Sequence, residues 1–213
     1  MRFTTLFFDL DDTLYPANNG MWGAIAARID RYMNERLGIP LEGLPEIRQD
    51  LYTHYGTTLR GLSMTRPIDR DDYLAFVHDI PVRQYLSPNP ALRPAIQACA
   101  PRRFILTNSD RAHAGRVIDA LELQGCFEAV VDILDLWPHC KPMPEAYHVA
   151  LEKAAETSPQ RCLLVDDSRK NLAGARAVGI FAVLVGQGRC GEDCDAQIDS
   201  LLQLPALLKE LES

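Results

Sequence analysis

The stretch FFDLDDTLYP, residues 7–16, follows an apolar, β-like run directly with three aspartates, Asp9, Asp11 and Asp12. Two carboxylates about 4 Å apart repel by roughly 4 kcal/mol at an effective dielectric of about 20. Such crowding calls for a cation, a shared proton or plain exposure to water. Further short apolar runs recur along the chain, Phe104–Leu106, Ala129–Val131, Cys162–Val165 and Phe181–Val185, separated by Ala- and Leu-rich stretches of helical spacing. This alternation predicts a doubly wound α/β fold, a parallel sheet covered by helices on both faces. The last unit is the clearest. Ser168 caps a helix over 171–178, Gly179 ends it in a left-handed turn, and a strand over 181–185 follows at once.

One interval breaks the rhythm. Asp9 and the strand near Phe104 are more than ninety residues apart, where an ordinary crossover needs roughly a dozen or two. The intervening sequence is helical in pattern: Trp22, Ile25, Ile29 and Met33 share one face, and periodic stretches surround 47–55 and 73–77. Turn signals bracket it, Pro16 and Asn18-Asn-Gly20 on entry and Ser87-Pro-Asn-Pro90 on exit. The reading is a core of residues 1–14 and 89–213 with an inserted helical cap, 15–88, able to close over a site at the sheet.

The 213 residues are enough for a sizeable core. With 22 Lys plus Arg against 29 Asp plus Glu, the net charge is −7, which argues against a broad surface for a nucleic-acid polymer or an anionic membrane. The N-terminal apolar stretch is cut short by Asp9, too early for a signal peptide, and no window is long enough to span a membrane. The six scattered cysteines (Cys99, Cys126, Cys140, Cys162, Cys190, Cys194) read as reduced, packed thiols of a cytoplasmic protein.

Chemistry gathers at the ends of the strands. Strand one ends in Asp9-Leu-Asp-Asp-Thr13, strand two in Thr107-Asn-Ser-Asp110, a loop after strand three holds Lys141-Pro-Met-Pro144, and strand four ends in Asp166-Asp-Ser168. For these to meet, strand one must lie between strands two and four, which opens a crevice at the carboxyl ends of the strands. Asp9, Asp11, Asp166 and Asp167 then converge, an arrangement tolerable around a hard divalent cation, Mg²⁺, with a substrate phosphate completing its shell. Asp12 reads as a solvated turn residue. Taken singly, an acid, a threonine or a lysine in such a loop is ordinary structure; the ordered set is not.

In that order the four motifs resemble the haloacid dehalogenase superfamily of phosphatases, over the core to about Val185. The resemblance implies a Rossmann-like core of strand order 5-4-1-2-3 and residue roles. Asp9 is then the nucleophile that forms an aspartyl phosphate, and Asp11 the acid and base. Mg²⁺ is held by Asp9, the main-chain carbonyl of Asp11, Asp167 directly and Asp166 in support. Thr107 and the N–H of Asn108 bind phosphoryl oxygens, and Lys141 neutralises charge.

The stretch Tyr55-Gly-Thr-Thr-Leu-Arg-Gly-Leu62, together with residues 9–16 and 107–114, is similar to the branch known as pyrimidine 5′-nucleotidases. That implies a nucleoside monophosphate such as UMP or CMP as substrate, with Tyr55, Thr57, Thr58 and Arg60 as contacts; the same residues can equally cap a helix and anchor a turn. Ser109 stands where the resemblance leads one to expect glycine. Phosphoglycolate, pyridoxal phosphate or a sugar phosphate are the alternative substrates, and a phosphomutase shares every motif; intact Asp9 and Asp11 speak against a non-catalytic scaffold. Gly186-Gln-Gly-Arg-Cys-Gly191 imitates a dinucleotide loop but has no following βαβ unit. His139-Cys140 reads as loop structure and His113 as structural, with a contact at the mouth of the site as its alternative; Asn171 either orients the acidic pair or lies on a helix surface.

Overall fold

The run preceding Asp9 forms the central strand. In the computed structural model, which describes residues 2–99 and 102–212, β1 (Thr5–Phe8) is buried at every position. There follow α1 (Met21–Glu35), α2 (Leu44–Tyr55), α3 (Thr58–Thr65), α4 (Arg70–Val77) and α5 (Leu92–Gln97). The alternating part comprises β2 (Arg102–Leu106), α6 (Arg111–Ala120), β3 (Ala129–Val131), α7 (Ile133–Leu136), α8 (Pro144–Lys153), β4 (Cys162–Asp166), α9 (Arg169–Ala177), β5 (Phe181–Val185), β6 (Ala196–Ile198) and α10 (Leu204–Glu210).

Among the described residues the strands pair in the order β3-β2-β1-β4-β5-β6, every pair parallel. The expected order 5-4-1-2-3 lies within this sheet, and β6 extends it beyond β5. That strand escapes a reading of apolar runs because it is a three-residue edge segment, Ala-Gln-Ile, with only Ile198 buried. Register sets the site: Phe8 lies opposite both Ile105 and Val165, so Asp9, Asp166 and Thr107 leave the sheet at nearly the same level. Beneath them Phe7, Phe104, Leu106, Leu164, Tyr147 and Ala175 share one core cluster, each large apolar side chain contributing about 1.5–3 kcal/mol by its burial.

The chain divides into two compact units: one from the residues up to Ala17 and from Leu86 onward, the other Asn18–Tyr85. The second unit is helical. Tyr32 stacks edge-on against Tyr73 and Phe76, with ring centroids 5.0 and 5.4 Å away, and Arg48 pairs with Asp30 at 2.8 Å. Gly61 of α3 sits where a Cβ would come within 2.7 Å of Leu51 of α2. Ile25, Ile29 and Met33 are buried on α1 as their spacing predicts, but Trp22, placed on the same face, is 54% exposed. It stands in the first turn of α1, where Met21 takes the buried position beside it.

The thiol reading needs correction. Cys190 and Cys194 are disulfide-bonded in the β5–β6 loop, their Cα atoms 5.5 Å apart, within bridging reach. Cys99, Cys126, Cys140 and Cys162 are free and buried. A separation of four residues lets a turning loop close on itself. The same loop contains the glycine pattern of residues 186–191 and leads to β6, not to a helix. No helix among the described residues is long and apolar enough to cross a membrane.

Candidate active site

Asp9 follows β1 directly, its N–H bonded to the Val165 carbonyl at 2.9 Å. The chain then turns: Asp12 adopts φ +60°, a conformation Asp tolerates better than most residues, and Leu14 N–H closes on the Leu10 carbonyl at 3.0 Å. This turn brings Thr13 back beneath Asp9. Its hydroxyl lies 3.4 Å from both Asp9 Oδ2 and Asp167 Oδ1, and accepts the Asp167 N–H at 3.1 Å.

Lys141 reaches the same place from the loop after α7. It is 1% exposed, and its Nζ donates to Asp9 Oδ1 and to Asp166 Oδ2, each at 2.7 Å. Asp166 is wholly buried, and its oxygens also accept from Ser168 N–H at 2.8 Å and from Asn171 Nδ2 at 3.1 and 3.0 Å. Of the two roles open to Asn171, the structure therefore selects the orientation of the acidic pair. Asn108 holds Lys141 in turn, its amide bonding the Lys141 carbonyl at 3.0 Å and the Lys141 N–H at 2.9 Å. The Asn108 side chain is thereby occupied, a positioning duty beyond the backbone role read from sequence. Thr107, 1% exposed, accepts the Ser109 N–H on its hydroxyl at 3.0 Å and keeps its own proton to donate.

Oxygen atoms of Asp9, Asp166 and Asp167 lie within 4.8 Å of one another. Burial pushes the Asp9 carboxyl well up, against the pull of Lys141 and with repulsion from Asp166 and Asp167 added. Desolvation and the Asp166 charge push Asp167 up to about 6. Burial opposes the charge on Lys141, but Asp166 and Asp9 raise its pKa overall and keep it an ammonium. One ammonium among three carboxylates leaves a deficit of positive charge that a hard, oxygen-seeking divalent cation fits. Asp167, the exposed member, has the oxygens least engaged by protein donors, whereas Asp166 is committed to Lys141, Ser168 and Asn171.

The expected convergence of four carboxylates is corrected at Asp11, whose side chain stands outside this cluster. Its Oδ1 accepts from Tyr15 Oη at 2.7 Å and lies 2.9 Å from His113 Nε2, and its Oδ2 accepts from Ser109 Oγ at 2.7 Å. Burial alone would raise its pKa, but His113, Tyr15 and Ser109 together hold it far below the usual carboxylate range. Burial and the Asp11 charge push the Tyr15 phenol upward, so it stays a donor. His113 thus takes the alternative the sequence left to it, a contact with Asp11. The signal was available: Asp110 caps α6 and accepts the His113 N–H at 2.7 Å, which turns the third residue of the first turn inward.

Tyr55, Thr57, Thr58 and Arg60 lie in the Asn18–Tyr85 unit. There Thr57 caps α3, its hydroxyl accepting the Arg60 N–H at 3.1 Å, Thr58 is buried, and Arg60 Nη1 donates to the Tyr55 carbonyl at 3.3 Å. These are the capping and turn-anchoring contacts that the sequence held open beside substrate binding. Cys140 is wholly buried next to Lys141.

Known proteins carry the same framework. Residues 3–179 match the family described as haloacid dehalogenase-like hydrolase. The chain is 29% identical over 221 residues to a phosphoglycolate phosphatase of Pseudomonas putida, 95% of this chain and 78% of that protein. It is 24% identical over 192 residues to phosphate metabolism protein 8 of Saccharomyces cerevisiae, 84% of this chain, and spans 60% of the yeast protein's length. Among solved structures, a HAD phosphatase from Thermococcus onnurineus superposes with TM-score 0.65 at 19% identity, covering 96% of this chain and 97% of that one. A 2-haloacid dehalogenase from Pseudomonas syringae pv. Tomato does so with TM-score 0.62 at 22% identity, covering 98% and 99%. At such identities the structural likeness speaks for the fold, and the family match over most of the chain for descent: the protein belongs to the haloacid dehalogenase-like hydrolases.

Proposed function

We propose that the chain is a Mg²⁺-dependent phosphomonoester hydrolase acting through an aspartyl phosphate, with pyrimidine nucleoside 5′-monophosphates as substrates. The observation that carries the chemistry is Lys141 buried between Asp9 and Asp166 at 2.7 Å from each, with Asp167 alongside. The cation would be held by Asp9, Asp167 and the main-chain carbonyl of Asp11, and when bound it neutralises phosphoryl and carboxylate charge. An Asp9 oxygen attacks phosphorus, and the bond from phosphorus to the alcohol oxygen breaks as the leaving oxygen takes the proton that Asp11 has accepted from solvent on substrate binding. The phosphate dianion raises the proton affinity of Asp11 as substrate enters. Water then attacks phosphorus, gives its proton to Asp11, and releases phosphate with Asp9 restored. Lys141, the Thr107 hydroxyl and the Asn108 N–H face the charge that develops on the phosphoryl oxygens.

The substrate reading rests on Tyr55-Gly-Thr-Thr-Leu-Arg-Gly-Leu62, and the Asn18–Tyr85 unit is assigned the choice of leaving group. A second reading, phosphoglycolate, is favoured by the Pseudomonas putida relative's name. Phosphate release is measured from UMP, CMP, AMP, GMP, phosphoglycolate, pyridoxal phosphate and an aryl phosphate, with Mg²⁺ and with chelator, beside Asp9→Asn. Magnesium-dependent turnover favouring UMP and CMP, lost in Asp9→Asn, is the expected result. Preference for phosphoglycolate keeps the chemistry and discards the nucleotidase; no release from any substrate sinks both.

A further inference from the structure

The Asp11 carboxylate is asymmetric. An ionised carboxylate offers about two acceptor positions on each oxygen. Oδ1 uses both, for Tyr15 Oη at 2.7 Å and His113 Nε2 at 2.9 Å, whereas Oδ2 takes Ser109 Oγ at 2.7 Å. The donors come from three separate segments: the turn after β1, the loop after β2 and the first turn of α6. His113 is wholly buried, and its backbone is tied to the Asp110 cap at 2.7 Å, so its ring is a fixed post and not a mobile surface group. The clamp requires the ring nitrogen that faces the carboxylate to carry the proton of that contact.

We propose that His113, with Ser109 and Tyr15, is a positioning residue that locks the Asp11 side chain and leaves Oδ2 as the atom that exchanges the proton with leaving group and water. This rests on the reading of Asp11 as acid and base. Without the clamp the carboxylate rotates between equivalent settings, and a proton donor displaced by about 1 Å can cost on the order of 10²-fold in rate. Ser109 gains a purpose by the same geometry. A glycine there has no hydroxyl to define which oxygen of Asp11 stays open.

The test compares His113→Leu, His113→Gln and Ser109→Ala on a nucleoside monophosphate and on p-nitrophenyl phosphate. The alkoxide of the nucleotide needs protonation; nitrophenolate needs little. His113→Leu is expected to lose kcat on the nucleotide by about 10²-fold with KM little changed, to lose far less on the aryl ester, and to be largely rescued by the amide donor of His113→Gln. Ser109→Ala, at a half-exposed position, is expected to show the same pattern more weakly and carries the test if the buried leucine prevents folding. Equal losses on both substrates, a change in KM alone, or no rescue by glutamine would overturn the proposal. Nitrogen NMR of ¹⁵N-histidine protein, the His113 signals identified by their loss in His113→Gln, reads the premise without turnover. A proton on Nε2 supports it, and a proton on Nδ1 alone overturns it. If the wild-type protein hydrolyses none of the panel, the phosphatase reading fails while this spectrum still decides the clamp.

Discussion

Replacing Lys141 with methionine keeps the volume of the buried side chain and removes its charge. At 2.7 Å from one oxygen each of Asp9 and Asp166, the ammonium attracts each carboxylate by roughly 6 kcal/mol at an effective dielectric of about 20. Desolvation of the three charged groups offsets most of that sum. The part that a mutation exposes is the cost of leaving buried charges unpaired, about 3–5 kcal/mol when one partner is removed. In a chain of this length 1 kcal/mol moves Tm by about 2–4 °C, so Lys141→Met should melt roughly 6–20 °C below wild type in chelator. Its deficit deepens with pH. Asp9 is already raised by burial, and loss of Lys141 raises it further; a group with a raised folded pKa loses its contribution as pH rises through that value. Adding Asp9→Asn neutralises one orphaned charge and should recover part of the loss. Thermal unfolding followed by circular dichroism at pH 5 and pH 8 measures all three proteins. A single variant melting within a degree or two of wild type, or a double variant no better than the single, would refute the reasoning.

Glu156 is pushed up by burial, but the N–H of Ser158, the Thr4 and Thr5 hydroxyls and the Thr157 N–H outweigh this and lower its pKa. Its contribution is therefore present above the unfolded value of about 4.3 and lost as pH falls through the lower folded one; Glu156→Gln should cost about 1 kcal/mol at pH 7 and converge with wild type in acid-dependent urea unfolding. Gly174→Ala should destabilise by about 1–3 kcal/mol despite the better helix former, since its Cβ would lie 2.2 Å from the Pro142 carbonyl; displacement of the adjoining Lys141 should show as lost phosphate release. In the Asn18–Tyr85 unit, Thr57→Ala removes the α3 cap and about 1 kcal/mol, while retained UMP turnover in that variant would count against a substrate contact by its hydroxyl. Added Mg²⁺ should raise Tm in wild type by native-state binding and do so much less in Asp167→Asn, as differential scanning calorimetry can record.

The sheet, and the gathering of acids at the carboxyl ends of its strands, are legible in the sequence alone. Apolar runs ending in Asp9, Thr107 and Asp166 carry a period and a position that survive without coordinates, because strand interiors must be apolar and the carboxyl ends of parallel strands must meet where the chain reverses direction. Ser168 and Gly179 announced α9 for equally local reasons, a capping hydroxyl and a left-handed turn at φ +89°. Pairings between distant segments emerge from the folded chain and not from its sequence. Asp11 meets Ser109 and His113 across 98 and 102 residues; the Asp110 cap marks His113 as facing inward, but nothing in either neighbourhood names Asp11 as its partner. The same holds for Asn108 fixing Lys141 and for Cys190 joining Cys194. Edge strand β6 and the exposure of Trp22 depend on what packs alongside. A short segment's own pattern does not specify its neighbours; burial and hydrogen-bond satisfaction assign them only when the whole chain is in place.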